Sequence, residues 1–138
     1  MIPNLFWKAK IPDELPKSIQ IIVAQLKKTK NKRECLKKAY AIITKRFEGC
    51  HTYQNIYYLF VTDLDKLWKQ KLLHCTNLNY LLRVLLIKSE RFEEKDIKIR
   101  IIFGWFYIHQ YLKIKTTKVD PWGRSHGIKF GDFAKEFD

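Results

Sequence analysis

"LLHCTNLNYLLRVLLIKS", from Leu72 to Ser89, decides the reading of this chain. Between Thr76 and Lys88 the residues Leu78, Leu81, Leu82, Leu85 and Leu86 recur at helical spacing. They form one apolar stripe that predicts a helix packed against other elements. Cys75 stands at or just before the first turn of that helix. A helix N-terminus carries unpaired N–H groups and the positive end of the backbone dipole, the setting in which a thiol is most readily held as the nucleophilic thiolate.

Upstream, the chain reads as helical. In "DELPKSIQIIVAQLKKTK" the residues Ile19, Ile22, Val23 and Leu26 fall at i, i+3, i+4 and i+7, with a basic tail suited to the negative pole of a helix. After a turn at Asn31, Leu36, Ala39, Tyr40, Ile43 and Phe47 repeat the spacing until Gly49, a residue suited to a helix C-terminus. The aromatic segment "HTYQNIYYLFVTDLDKLWKQ" has no clean period at first. Thr62 with Asp65 then resembles a capping box, which predicts a short third helix through Leu67 and Trp68.

Downstream the character changes. "DIKIRIIFGWFYI" and "HQYLKIKT" are rich in β-branched and aromatic residues with partial alternation, and "KVDPWG" reads as a short strand closed by Pro121. Helices first and strands after predict an α+β fold with an antiparallel sheet. The 138 residues are expected to form a single domain, with residues 1–70 mainly helical and 71–138 holding the cysteine helix and the strands. No internal repeat and no linker composition divides them.

Prolines and charges interrupt the opening residues, and no apolar run approaches the roughly 18 residues of a membrane helix, so no membrane association and a cytoplasmic location are expected. Three cysteines, Cys35, Cys50 and Cys75, are too few and odd in number for a disulfide framework. The net charge of +13 leaves an acidic partner open, nucleic acid included. The plainer reading is a solvated lysine-rich surface.

A cysteine nucleophile needs an imidazole to take its proton and a third polar group to orient the imidazole. The chain offers His109 at the start of "HQYLKIK" and Asp120 in "VDPW". A hairpin with an even-numbered loop centred near Ile114 and Lys115 would set these two side chains opposite each other on one face. A turn centred on "KTTK", residues 115–118, would displace them unless a bulge intervened. The sequence leaves the register open.

"CTNLNYLLRVLLIKS", "HQYLKIK" and "VDPW", in that order, resemble the core of the transglutaminase-like superfamily, over about half of the chain. The resemblance implies a papain-like fold with the cysteine helix packed on an antiparallel sheet. It implies Cys75 as nucleophile, His109 as general base and acid, and Asp120 as the residue that orients the imidazole. Arg83 falls in the family's leucine-arginine segment and is assigned no chemistry. Glu90 stands where the family's helix is followed by a glycine. The implied reaction is acyl transfer through a thioester, with no cofactor, on a protein or peptide amide. An amine acceptor makes it transamidation of glutamine, and water makes it an amidase or peptidase reaction. The Cys75 backbone N–H and a side chain upstream, Gln70 or Trp68, are the expected oxyanion donors. His74, Trp105 and Trp122 are expected to wall the cleft.

Three other readings compete. Without its partners Cys75 would be a small core residue; Cys35, beside the stripe of the second helix, and Cys50, after its terminating glycine, are read as structural or incidental. Cys50 with His51, and His74 with Cys75, are adjacent pairs whose side chains diverge, so no metal site is expected. "WFY" at 105–107 would stack on bases in a nucleic-acid binder, but on a strand it more often forms core and cleft wall. The alternative class of function is a basic, non-catalytic module on the same fold, binding nucleic acid or an acidic protein surface. The sequence is silent on oligomeric state and on the role of His126.

Overall fold

The structure is a computed structural model and describes residues 2–135. The fold is α+β. Helix α1, Lys17–Lys27, buries Ile19, Val23 and Leu26 on the expected stripe. Helix α2, Lys32–Arg46, opens on Asn31, whose side-chain oxygen accepts the Glu34 N–H at 2.8 Å. It ends three residues before Gly49. Phe47 turns extended, and Glu48–Gly49 form strand β1, which pairs in parallel with β2, Leu72–Leu73. Gly49 is therefore not a helix stop. A Cβ there would lie 2.5 Å from the Trp122 indole, so the position has room only for glycine.

A 3-10 turn over Ile56–Phe60 follows, then helix α3, Leu64–Trp68. The cap of α3 is Asp63, which accepts the Lys66 N–H at 3.0 Å, one residue beyond the expected Thr62. Helix α4, Cys75–Lys88, is the centre of the molecule. Its whole circumference from Thr76 to Leu86 is buried, because α1 and α2 cover one part and the sheet another. Burying each of its five stripe leucines contributes about 1.5–3 kcal/mol.

Arg83 lies in the middle of α4 at 2% exposure. Its guanidinium donates to the Ala9 carbonyl and Asn4 Oδ1, and pairs with Glu94 at 3.2 Å. Burial works against this charge and lowers its pKa, and Glu94 offsets part of that effect. The arginine thus ties the segment before α1 onto the central helix. At the helix end Glu90 adopts φ 66°, the left-handed conformation that glycine takes without strain.

Strands β3, Ile97–Phe103, β4, Ile108–Ile114, and β5, Thr117–Val119, form an antiparallel sheet in that order. Leu112, Ile114, Val119 and Ile97 join the buried cluster that contains the α4 leucines. Residues 104–107 are not part of a strand. They form the β3–β4 turn, closed by a Gly104 N–H to Tyr107 carbonyl bond of 2.9 Å. Trp105 and Phe106 stand at its tip, 94% and 98% exposed, rather than in the core. Among the described residues no helix is long and apolar enough to cross a membrane.

Candidate active site

The β4–β5 connection is a two-residue loop, Lys115 and Thr116, because Ile114 pairs with Thr117 and Leu112 with Val119. Lys115 takes φ 55° to make it. Carried one residue further, this register sets Asp120 opposite Tyr111, and His109 becomes its diagonal neighbour on the same face. The loop centre lies between the two positions weighed from the sequence. A shift of one full pair preserves the face, so the two side chains still meet.

His109 Nε2 donates to Asp120 Oδ2 at 2.6 Å, with both side chains about 1% exposed. Asp120 is fixed in turn. Its Oδ2 accepts the Ala134 N–H at 2.8 Å and its Oδ1 accepts the Gly123 N–H at 3.1 Å. With Nε2 committed to Asp120, Nδ1 is the ring nitrogen left for Cys75. Burial opposes a charge on the imidazole. The hydrogen bond to Asp120, reinforced by a hydrogen bond to the Cys75 sulfur and by the charges of both groups, overcomes it and pushes the His109 pKa up to about 9. An imidazole held in this way beside the sulfur is the partner that a cysteine nucleophile requires.

Cys75 is partly exposed at the first residue of α4, whose preceding turn is held by Asn77. Asn77 Oδ1 accepts the His74 N–H at 3.3 Å, and its Nδ2 donates to the Tyr58 carbonyl at 3.0 Å. The same Oδ1 lies 3.3 Å from His74 Nδ1, so Asn77 meets both the backbone and the ring of His74. His74 Nε2 and Thr76 Oγ1 are buried on either side of Cys75 without a partner among the described residues.

Trp122 roofs the imidazole. Its indole ring is 5.0 Å from the His109 ring, its N–H donates to the Cys50 carbonyl at 2.8 Å, and His126 stacks on it at 3.9 Å. His126 Nε2 also donates to the Gly49 carbonyl at 2.9 Å. The role of His126, silent in the sequence, is to clamp this tryptophan against β1.

A cleft of about 720 Å³ opens at Cys75. His74, Trp105 and Trp122 line it. Among the residues not foreseen are Cys50, His51, Thr52 and Tyr53 from the loop after β1, and Ile2 and Leu5 from the segment before α1. Gln110 holds that segment by donating to the Leu5 carbonyl at 2.8 Å. The expected oxyanion donors Gln70 and Trp68 do not line the cleft. Gln70 donates its amide to the Tyr58 hydroxyl at 2.8 Å, and Trp68 is buried against Phe47 and Arg46. Cys35 is buried beside Ser89, as read. Cys50 lines the cleft, but burial pushes its thiol up to about 11, which keeps it protonated at neutral pH.

Among the described residues no group of three or more His, Cys, Asp or Glu side chains stands ready to hold a metal ion. Comparison with protein-family models, with curated proteins and with solved structures finds no significant match to this chain, so its chemistry rests on the geometry above.

Proposed function

We propose that the chain is a cysteine-dependent acyltransferase or amide hydrolase of transglutaminase-like type, with a papain-like arrangement of helix and sheet. The observation that carries this reading is one imidazole engaged on both sides, by Asp120 at 2.6 Å and by the Cys75 sulfur at the mouth of α4. Cys75 attacks an amide carbonyl. The oxyanion that forms meets the Cys75 backbone N–H, one of the unpaired donors of the helix terminus. His109 gives its proton to the departing amine or ammonia, and the thioester passes its acyl group to an amine or to water. Asp120 keeps the ring in the productive tautomer throughout.

Iodoacetamide labelling followed by peptide mass spectrometry tests the reading. Cys75 is expected to react faster than glutathione and faster than Cys35 or Cys50 at neutral pH, and His109→Ala to slow it by about a hundredfold or more. Labelling of Cys75 at the rate of glutathione, unchanged by His109→Ala, would sink the proposal.

A further inference from the structure

The chain is 30% Asp, Glu, Lys and Arg. Among the described residues that line the cleft at Cys75 there is none of these four types. The lining is instead apolar and aromatic, and it is unusually exposed: Tyr53 at 75%, Phe103 at 66%, and the hairpin tip Trp105 and Phe106 almost completely. The volume of about 720 Å³ is that of a small-molecule or short-peptide site. Its polar lining is uncharged: His51, Thr52, Tyr53 and Tyr107 besides His74, Cys75 and Thr76. Next to the nucleophile in the chain, His74 Nε2 and the Thr76 hydroxyl are buried with no partner of their own among the described residues.

The tip is held in this position. Gly104 is glycine because a Cβ would lie 2.1 Å from the Tyr107 ring, and Tyr107 donates its hydroxyl to the Lys135 carbonyl at 2.8 Å. Trp105 and Phe106 are therefore presented to solvent by a built turn. Large rings kept in water while polar atoms are kept dry beside a thiol describe a site made for an apolar group attached to an uncharged amide.

We infer that the substrate of Cys75 is an amide carrying an uncharged aromatic or branched aliphatic group, received between the residue 50–53 loop and the β3–β4 hairpin tip. This inference rests on the acyl-transfer reading of the same site. It goes beyond that reading by excluding amides whose neighbouring group is a carboxylate or an ammonium.

The probes are iodoacetamides bearing an N-benzyl, N-carboxymethyl or N-aminoethyl group. In each the Cys75 thiolate forms the C–S bond and iodide leaves, and each rate is divided by that of the same reagent with glutathione. The N-benzyl reagent is expected to exceed both charged reagents by about tenfold or more, the discrimination that burying one ring produces. Trp105→Ala and Tyr53→Ala are each expected to lower that ratio about threefold, on exposed positions where folding is not at stake. Equal normalised rates for all three reagents overturn the inference. Protection against the N-benzyl reagent by N-acetyl-Phe-Gln-Phe amide assigns the apolar group to a peptide, protection by benzamide assigns it to a small amide, and protection by neither overturns the inference. Failure of His109→Ala to slow unsubstituted iodoacetamide removes the acyl-transfer reading and this inference together. A rate that depends on His109 but shows no benzyl preference removes only the substrate class.

Discussion

The site has a closed half and an open half, and they are built on opposite terms. The closed half, His109, Asp120 and Trp122, is nearly dry, and its charged and polar groups are engaged: Asp120 by an imidazole and two backbone N–H groups, Trp122 by the Cys50 carbonyl and the His126 ring. The open half, Tyr53, Phe103, Trp105 and Phe106, is strongly exposed and has no charge. A buried charge is tolerated only when paired and hydrogen-bonded, so the closed half has to be complete before a substrate arrives. An apolar surface in water is incomplete until something covers it. The comparison separates residues that stabilise the fold from residues that select what enters.

The largest effect expected from breaking the closed half is on stability. Trp122 is 3% exposed and is wedged against Gly49, where no Cβ fits. Trp122→Ala should cost about 4 kcal/mol, the loss of a large buried ring together with the cavity left behind. Urea unfolding followed by circular dichroism measures it. A loss below about 1 kcal/mol would mean that the roof over His109 carries no structural role.

Next comes pH. The His109 pKa stands at about 9 in the folded chain and near 6.5 in an unfolded one. Below roughly pH 6.5 the imidazole is charged in both states and its contribution to folding is fully present. As the pH rises through about 9 that contribution is lost, on the order of 3 kcal/mol. Stability should therefore fall between neutral and mildly alkaline pH. An NMR titration of the His109 ring with a midpoint near 6.5 would contradict the pairing that holds the site together.

Asp120→Asn sharpens the same half chemically. An amide oxygen in the Oδ1 position still accepts from Gly123, but an amide nitrogen at Oδ2 accepts from neither His109 nor Ala134. The imidazole loses its orientation and its counter-charge. Alkylation of Cys75 should slow by about a hundredfold, and the His109 pKa should fall toward its ordinary value. An unchanged alkylation rate would make Asp120 a structural residue only.

How far these two halves were legible in the sequence follows from their physics. The α4 stripe and the order of Cys75, His109 and Asp120 could be read because helical period and chain order survive in one dimension. The meeting of His109 and Asp120 depended on a one-pair difference in loop position, which composition does not record: "KIKTTK" supports more than one two-residue turn. The partners of Asp120 at Gly123 and Ala134 were illegible because backbone N–H groups have no sequence signature. Trp105 and Phe106 line the cleft from a turn rather than from a strand; apolar residues in a β-prone run read as strand, and only Gly104 hinted at a turn. Gln70 and Trp68 lie close to Cys75 in sequence but are held elsewhere by Tyr58 and by Phe47 with Arg46.

A smaller effect lies outside both halves and calibrates them. Glu90 occupies the left-handed region at φ 66° after α4, at the position where the resemblance called for glycine. Its contact with Lys27, 3.5 Å between exposed groups, offers little in compensation. Glu90→Gly should stabilise the chain by about 1 kcal/mol, since the strain of a side chain in this region is removed. Unchanged or lower stability would show that the ion pair outweighs the strain.

The smallest effect on stability is expected at Trp105, the open half's counterpart of Trp122. Both are tryptophans that line one cleft, and a sequence reading treats them alike. At 94% exposure Trp105 has almost no buried area to lose, so Trp105→Ala should shift the unfolding free energy by less than about 0.5 kcal/mol. A loss near that of Trp122→Ala would mean that the tip packs against the rest of the chain in solution and that the cleft is narrower than described. A stability near that of the parent chain, with the preference for the N-benzyl reagent reduced, would place the whole worth of this ring in what it binds. The division of the site into a half that holds and a half that selects rests on that pair of measurements, made on two tryptophans of the same cleft.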